Sequence, residues 1–192
     1  MTGGAGFVGA NLVRHLVAQD WVTNVVVLDN LATGSERNLA GCPVELVELV
    51  EGTVLDPGDL DRALADADAV VHLAARPGVP RSIEDPLASH HTNATGTLMV
   101  LEAMRRNGVP HVVMASSSSV YGANTTLPKA EGLIPLPMSP YAVSKLAAAR
   151  SGWRGWAISG RSSAMVDVNL VAWMISRARW PRSPMRLSPF LR

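Results

Sequence analysis

Tyr141 and Lys145 stand four residues apart in the stretch SPYAVSK. On a helix that spacing puts both side chains on one face. An ammonium group beside a phenol favours the phenolate and lowers the tyrosine pKa from its ordinary value of about 10. A tyrosine tuned in this way serves as a general acid and base near neutral pH. Ser117, in ASSSSVYG, is a third candidate, a strand-end hydroxyl able to hydrogen-bond the same substrate oxygen. Taken alone, a Tyr–Lys pair at this spacing is usually a surface pair. Its chemistry depends on what the fold brings to it.

A second constellation opens the chain. In MTGGAGFVGANLV, glycines at Gly3, Gly6 and Gly9 lead directly into a helical pattern. Such a turn feeds a helix whose N-terminus holds a pyrophosphate. Asp29 ends the next apolar run, twenty residues after Gly9. A carboxylate there accepts hydrogen bonds from the adenosine ribose and repels a 2′-phosphate, which favours NAD over NADP. Ala74 and Ala75 are small enough for a dinucleotide to lie close against the backbone. The bland alternatives are an ordinary strand-to-helix turn and, for Asp29, a turn residue before Asn30.

The elements that must position these groups are legible. Residues 8–17 repeat Val8, Leu12, Leu16 and Val13, Val17 at helical spacing. NVVVLD (24–29) is a short apolar run that suits a parallel strand buried on both faces. VELVEL (44–49) alternates, as expected of a strand nearer an edge. Asp56-Pro57 reads as an N-cap followed by proline at the first helical position, with Leu60 and Leu64 as the apolar stripe. AVVHLA (69–74) and HVVMASS (111–117) are further strands, and His72 reads as a packed core histidine. Between them a helix is predicted from about His91 to Arg106, with Leu98, Leu101 and Met104 on one face and Asn107-Gly108 as its stop. Ser139-Pro140 repeats the cap-plus-proline signal ahead of Tyr141. Strands alternating with helices at this spacing predict βαβ units and a doubly wound parallel sheet. The polar and small clusters then fall at the strands' carboxyl ends, where such sheets bind ligands.

Composition sets limits. The chain has 192 residues, is 47% hydrophobic and 17% charged, and carries a net charge of +1. It is long enough for one globular domain with a real core and short for two. Cys42 is the single cysteine, so no disulfide forms within the chain, which fits the cytoplasm. There is no signal-peptide pattern, and the apolar run 164–175 is broken by Asp167 and Asn169 and too short to span a bilayer. Charge is uneven. Residues 1–149 hold nine Lys/Arg against fifteen Asp/Glu, whereas residues 150–192 hold eight arginines against one acid. Four of the five tryptophans also lie beyond residue 150. This marks residues 150–192 as a basic tail with no helical or strand period. Its charge attracts nucleic acid in principle, but no nucleic-acid fold accompanies it. His90-His91 points about 100° apart on a helix and has no Cys/His company, so no metal site is expected.

Taken in order, TGGAGFVG, LDNLATG, HLAA, ASSSSVYG and SPYAVSK resemble the extended short-chain dehydrogenase/reductase family. The likeness is nearest to its NAD-dependent nucleotide-sugar epimerases and dehydratases, of the UDP-glucose 4-epimerase type, and runs from Thr2 to about Ala149. The resemblance implies a Rossmann-type fold with Gly3, Gly6 and Gly9 along the NAD pyrophosphate. It implies that Asp29 and Asn30 hold the adenosine ribose, with Thr33 and Gly34 nearby. Leu73, Ala74 and Ala75 run beside the coenzyme, and Asn93 supports the site. Ser117 and Tyr141 are the implied catalytic pair, with Lys145 binding the nicotinamide ribose. Members of this type move hydride from a sugar carbon to NAD and back, and some dimerise through the tyrosine-bearing helix. Thr53 stands where the family usually has an adenine-contacting aspartate. Ser118-Ser119 replaces the acidic pair of family dehydratases, which leans towards epimerase.

Two departures from the family shape the remaining expectations. Only Met1 and Thr2 precede the glycine turn, so the central first strand is expected to be largely missing, leaving its neighbours without a partner. A start of translation set too late accounts for this. Beyond Ser151 no family-like pattern continues, and an altered reading frame or a damaged gene copy accounts for a C-terminal substrate domain being absent. The alternative function is then a non-catalytic dinucleotide-binding remnant.

Overall fold

The computed structural model describes residues 1–130, 132–155 and 163–167. Five strands follow one another as β1 (Val25–Asp29), β2 (Val47–Glu51), β3 (Ala69–His72), β4 (His111–Ala115) and β5 (Ser163–Asp167). The helices are α1 (Phe7–Val17), α2 (Pro57–Leu64), α3 (Val79–Glu84), α4 (Pro86–His90), α5 (Gly96–Asn107) and α6 (Pro140–Gly155). A π-helical turn, His91–Thr95, joins α4 to α5, and a 3₁₀ turn, Ser118–Tyr121, follows β4.

All strand pairs are parallel. β2 pairs with β1, β3 with β4 and β4 with β5. The gap between β1 and β3 is filled by two residues. Thr2 bridges Leu28 on one side and His72 on the other, both in parallel sense. Thr2 N donates to Val71 O at 3.0 Å and Leu73 N to Thr2 O at 3.0 Å. On the other side Leu28 N donates to Met1 O and Gly3 N to Leu28 O, each at 2.8 Å. The expectation that the inner edges lack a partner is corrected at the level that matters for a ligand. At the carboxyl ends of β1 and β3 the backbone groups are paired, and the order is β2-β1-Thr2-β3-β4-β5.

Both faces of the sheet are covered, as near-continuous apolar strands require. Val25 and Val27 of β1 face Val13 of α1, while Leu28, pointing the other way, joins Leu60 and Leu64 of α2 and Leu101 and Met104 of α5. Asp56 caps α2 through its carboxylate, accepting from Asp59 N at 2.9 Å, and Gly108 ends α5 with φ +68°. Ser139 caps α6 in the same way, accepting from Ala142 N at 3.1 Å.

Several expectations shift. The long helix begins earlier than His91: α4 starts at Pro86, capped by Asp85, and runs on through the π turn. α5 buries Thr97, Val100, Leu101 and Met104, whereas Leu98 is 48% exposed. One residue is worth 100° on a helix, so Leu98 lies off the face that Thr97 shares with Leu101 and Met104. β2 begins three residues later than Val44, which is itself exposed. The composition break at residue 150 falls inside α6, and β5 extends the sheet where no period was legible. Trp156, Trp173, Trp180 and the closing arginine-rich segment lie outside the described residues.

Candidate active site

The glycine turn is built by steric exclusion. Gly3 has φ +72°, and a Cβ there would lie 2.6 Å from Ala74 N. A Cβ on Gly9 would lie 2.3 Å from Gly3 O. Both positions therefore admit only glycine, Gly3 by conformation and contact, Gly9 by contact. Gly6 differs, since its added Cβ would meet only Gly3 O, at an ordinary 3.4 Å. Gly6 is also the N-cap of α1, with no side-chain cap and no acid in the first turn. The first N–H groups of α1 are left to face an anion, at the positive end of the helix dipole.

Above this turn lies a cleft of about 300 Å³ along the carboxyl ends of β1 and β3. Gly3, Gly6 and Gly9 form its floor, Asp29, Asn30 and Thr33 one wall, and Thr53 with Val54 the end beyond β2. Leu73, Ala74 and Ala75 line the other side, closed by Pro77 and Thr92. Asp29 is 9% exposed, and both its oxygens are engaged. Oδ2 accepts from Ala5 N and Oδ1 from Leu31 N, each at 2.9 Å. The carboxylate thus ties the glycine turn to the end of β1, and each oxygen has capacity for a further hydrogen bond. Asn30 Oδ1 accepts from Ala32 N at 3.2 Å. Thr53 N donates to Asp59 Oδ2 at 2.9 Å, and Leu55 N donates to Thr53 Oγ1 at 3.2 Å. Gly34 does not line the cleft, but lies against the glycine turn, where a Cβ would be 2.8 Å from Ala5 C.

Tyr141, Lys145, Ser117 and Asn93 lie outside that lining. One side chain joins the two regions. Asn93, on the π turn and 1% exposed, accepts from Arg76 N at 2.7 Å through Oδ1. Its Nδ2 donates to Arg76 O at 3.2 Å and to Ser144 Oγ at 3.0 Å. Arg76 follows Ala75 at the cleft's edge. Ser144 sits on α6 between Tyr141 and Lys145, and its hydroxyl donates to Tyr141 O at 2.8 Å. The amide therefore clamps the loop beyond β3 to the helix that carries the tyrosine and the lysine.

Lys145 is 7% exposed, and burial pushes its pKa down to about 8. Ser117 caps the 3₁₀ turn, its hydroxyl accepting from Ser119 N at 3.3 Å and pairing with Ser119 Oγ at 2.7 Å. That turn packs against α6. His72, 4% exposed, is held near pKa 3 by burial first, then by the positive charges of Lys145 and the amino terminus.

The family description that matches residues 1–161 is the NAD dependent epimerase/dehydratase family. The chain belongs to that family. It is 39% identical over 151 residues to a UDP-glucose 4-epimerase of Mycolicibacterium smegmatis, covering 77% of this chain and 47% of that one. It is 36% identical over 151 residues to a dTDP-glucose 4,6-dehydratase of Mycobacterium tuberculosis, covering 77% and 45%. Among solved structures, DesIV, a dTDP-glucose 4,6-dehydratase of Streptomyces venezuelae with NAD and TYD bound, superposes with a TM-score of 0.79. The two are 34% identical, over 86% of this chain and 53% of that one. The chain spans about half the length of the relatives it matches.

Sequence reasoning named Asn93 but missed its partners. Ser144 stands three residues after Tyr141, and Arg76 contributes only backbone, which no side-chain pattern reports. Thr97, four residues after Asn93, donates to Asn93 O at 2.6 Å. That i, i+4 spacing was a legible signal. Among the described residues no group of three or more His, Cys, Asp or Glu side chains gathers to hold a metal ion, and no helix is long and apolar enough to cross a membrane.

Proposed function

We propose that this chain carries the coenzyme and acid/base half of an NAD-dependent nucleotide-sugar epimerase. The observation that supports it best is the Asn93 clamp, which joins the glycine-floored cleft to the helix of Tyr141 and Lys145. The cleft suits NAD: an uncapped helix N-terminus for the pyrophosphate, bare backbone at Gly3, Gly6 and Gly9, and a carboxylate at the far wall. In this assignment Asp29 and Asn30 hold the adenosine ribose, flanked by Thr33 and Gly34, and Thr53 meets the adenine. Leu73, Ala74 and Ala75 pass beside the coenzyme, Asn93 fixes the loop that follows, and Lys145 takes the nicotinamide ribose.

When bound, NAD supplies a reversible hydride acceptor for a sugar carbinol carbon. The chain's own residues handle the proton. Tyr141 Oη takes it from the sugar hydroxyl on oxidation and returns it on reduction. Ser117 hydrogen-bonds the same oxygen, and Lys145 follows one helical turn along on the same face. Ser118 and Ser119 carry no acid for expelling water, which favours epimerisation over dehydration.

The test is NAD titration of the purified chain, followed by turnover on UDP- and dTDP-sugars. Epimerisation of a UDP-sugar supports the proposal, whereas loss of water from a dTDP-sugar makes it a dehydratase. Binding without turnover marks a non-catalytic dinucleotide-binding unit. Absence of NAD binding overturns both.

A further inference from the structure

A row of buried polar side chains runs beneath the cleft and has one direction. Thr97 Oγ1 donates to Asn93 O at 2.6 Å, because a carbonyl only accepts. The hydroxyl's single proton is engaged there. Towards His72 Nε2, 2.9 Å away, Thr97 can only accept, so Nε2 carries the ring proton. Nδ1 of the neutral ring is then bare and accepts from Thr2 Oγ1 at 2.6 Å. Thr2 Oγ1 in turn accepts from Ala74 N at 3.4 Å. Every donor in the row has one acceptor, and no alternative tautomer of the neutral ring satisfies all of them.

The ends of this row matter. Ala74 lines the coenzyme cleft. Asn93 clamps Arg76 and Ser144, and through Ser144 the helix of Tyr141 and Lys145. Thr2, His72, Thr97 and Asn93 are each at most 4% exposed, so no water competes for these bonds. The ring's depressed pKa keeps it neutral throughout the physiological range.

We propose that His72, fixed as the Nε2–H tautomer between Thr2 and Thr97, is a positioning residue for the coenzyme site. It sets the height of Ala74 against Asn93, and so the height of the cleft wall against the tyrosine helix. This rests on the NAD-binding reading above. His72 touches neither coenzyme nor substrate in this role. It acts through Thr97, whose hydroxyl fixes the Asn93 carbonyl, and through Thr2, which receives the Ala74 amide.

The full chain is titrated with NAD by calorimetry as wild type, Thr97→Val and Thr97→Ser, with denaturant stability measured alongside. Valine keeps the shape and removes the hydroxyl, whereas serine restores it. The expected result is about fivefold weaker NAD binding by Thr97→Val, which loses both the bond to Asn93 O and the bond from His72 Nε2, and recovery to within about twofold by Thr97→Ser. A merely structural role moves stability and leaves the affinity of the folded protein unchanged, so Thr97→Val binding like wild type overturns the proposal. Nitrogen-15 spectra of the wild-type histidine ring give a second reading, independent of whether the variants fold. A proton on Nε2 supports the proposal, and a proton on Nδ1 overturns it. Should wild type fail to bind NAD at all, the functional reading falls and this role falls with it. Should wild type bind and Thr97→Val bind equally, only this role falls.

Discussion

Replacing Lys145 by methionine tests the electrostatics of the site. Lys145 is 7% exposed, and burial lowers its pKa from 10.5 to about 8. The folded state therefore releases this proton at a lower pH than the unfolded chain. Stability attributable to the group is full above 10.5 and is lost as pH falls through 8. A gap of 2.5 pKa units at about 1.4 kcal/mol each puts the cost of burying the charge at about 3 kcal/mol at pH 7. Methionine keeps the length and removes the charge. In urea unfolding of the coenzyme-free protein, Lys145→Met is expected to be about 3 kcal/mol more stable than wild type at pH 7. The difference narrows to about 2 kcal/mol at pH 9 and approaches zero near pH 10.5. The same variant is expected to lose turnover, because the proposed mechanism assigns Lys145 to the nicotinamide ribose beside Tyr141. A variant less stable than wild type at pH 7, or a difference that does not narrow with pH, refutes the reasoning.

Five further outcomes separate fold from function. Gly9→Ala brings a Cβ to 2.3 Å from Gly3 O and is expected to lower stability by about 1–3 kcal/mol in denaturant unfolding. Gly6→Ala meets only an ordinary 3.4 Å contact, so its stability should hold while calorimetry shows weaker NAD binding. Asp29→Asn turns one acceptor into a donor facing Ala5 N or Leu31 N, and is expected to cost about 1–3 kcal/mol of stability while relaxing discrimination against NADP. Tyr141→Phe should keep NAD affinity within about twofold and reduce any sugar turnover by at least about 10²-fold. His72 is held near pKa 3 against 6.5 in the unfolded chain, so stability is lost as pH falls below 6.5, by about 2 kcal/mol at pH 5, and His72→Gln should remove that slope.

The parts of this fold that follow from local chemistry were legible in the sequence. Asp56-Pro57 and Ser139-Pro140 announced helix starts because a cap and a fixed φ act within one turn. The apolar runs at Val25, Ala69 and His111 announced buried strands because both faces are covered. Of the ten cleft-lining residues named from sequence, Gly3, Gly9 and Asp29 have contacts that explain them. What was not legible depended on partners distant in the chain. β5 reads as an unremarkable five residues until β4 lies beside it. The start of α4 was hidden because Asp85 caps a helix already credited to His91. Leu98 looked like a core residue by type, and its place 100° from Thr97 on α5 put it outside. Ser144 and Arg76 carry no catalytic chemistry and enter only as things for Asn93 to hold.

The π turn constrains how this gene segment can change in length. From Pro86 to Asn107 the backbone winds without a break, but one wider turn separates α4 from α5. A wider turn holds one residue more than an α turn, so removing a single residue from 91–95 returns the segment to an ordinary winding with its two halves close to their present phase. Leu101 and Met104 then stay in the interior, and the change falls on the turn that aims Asn93 at Arg76 and Ser144. The segment can lose one letter and remain a helix, but not lose it and keep its clamp.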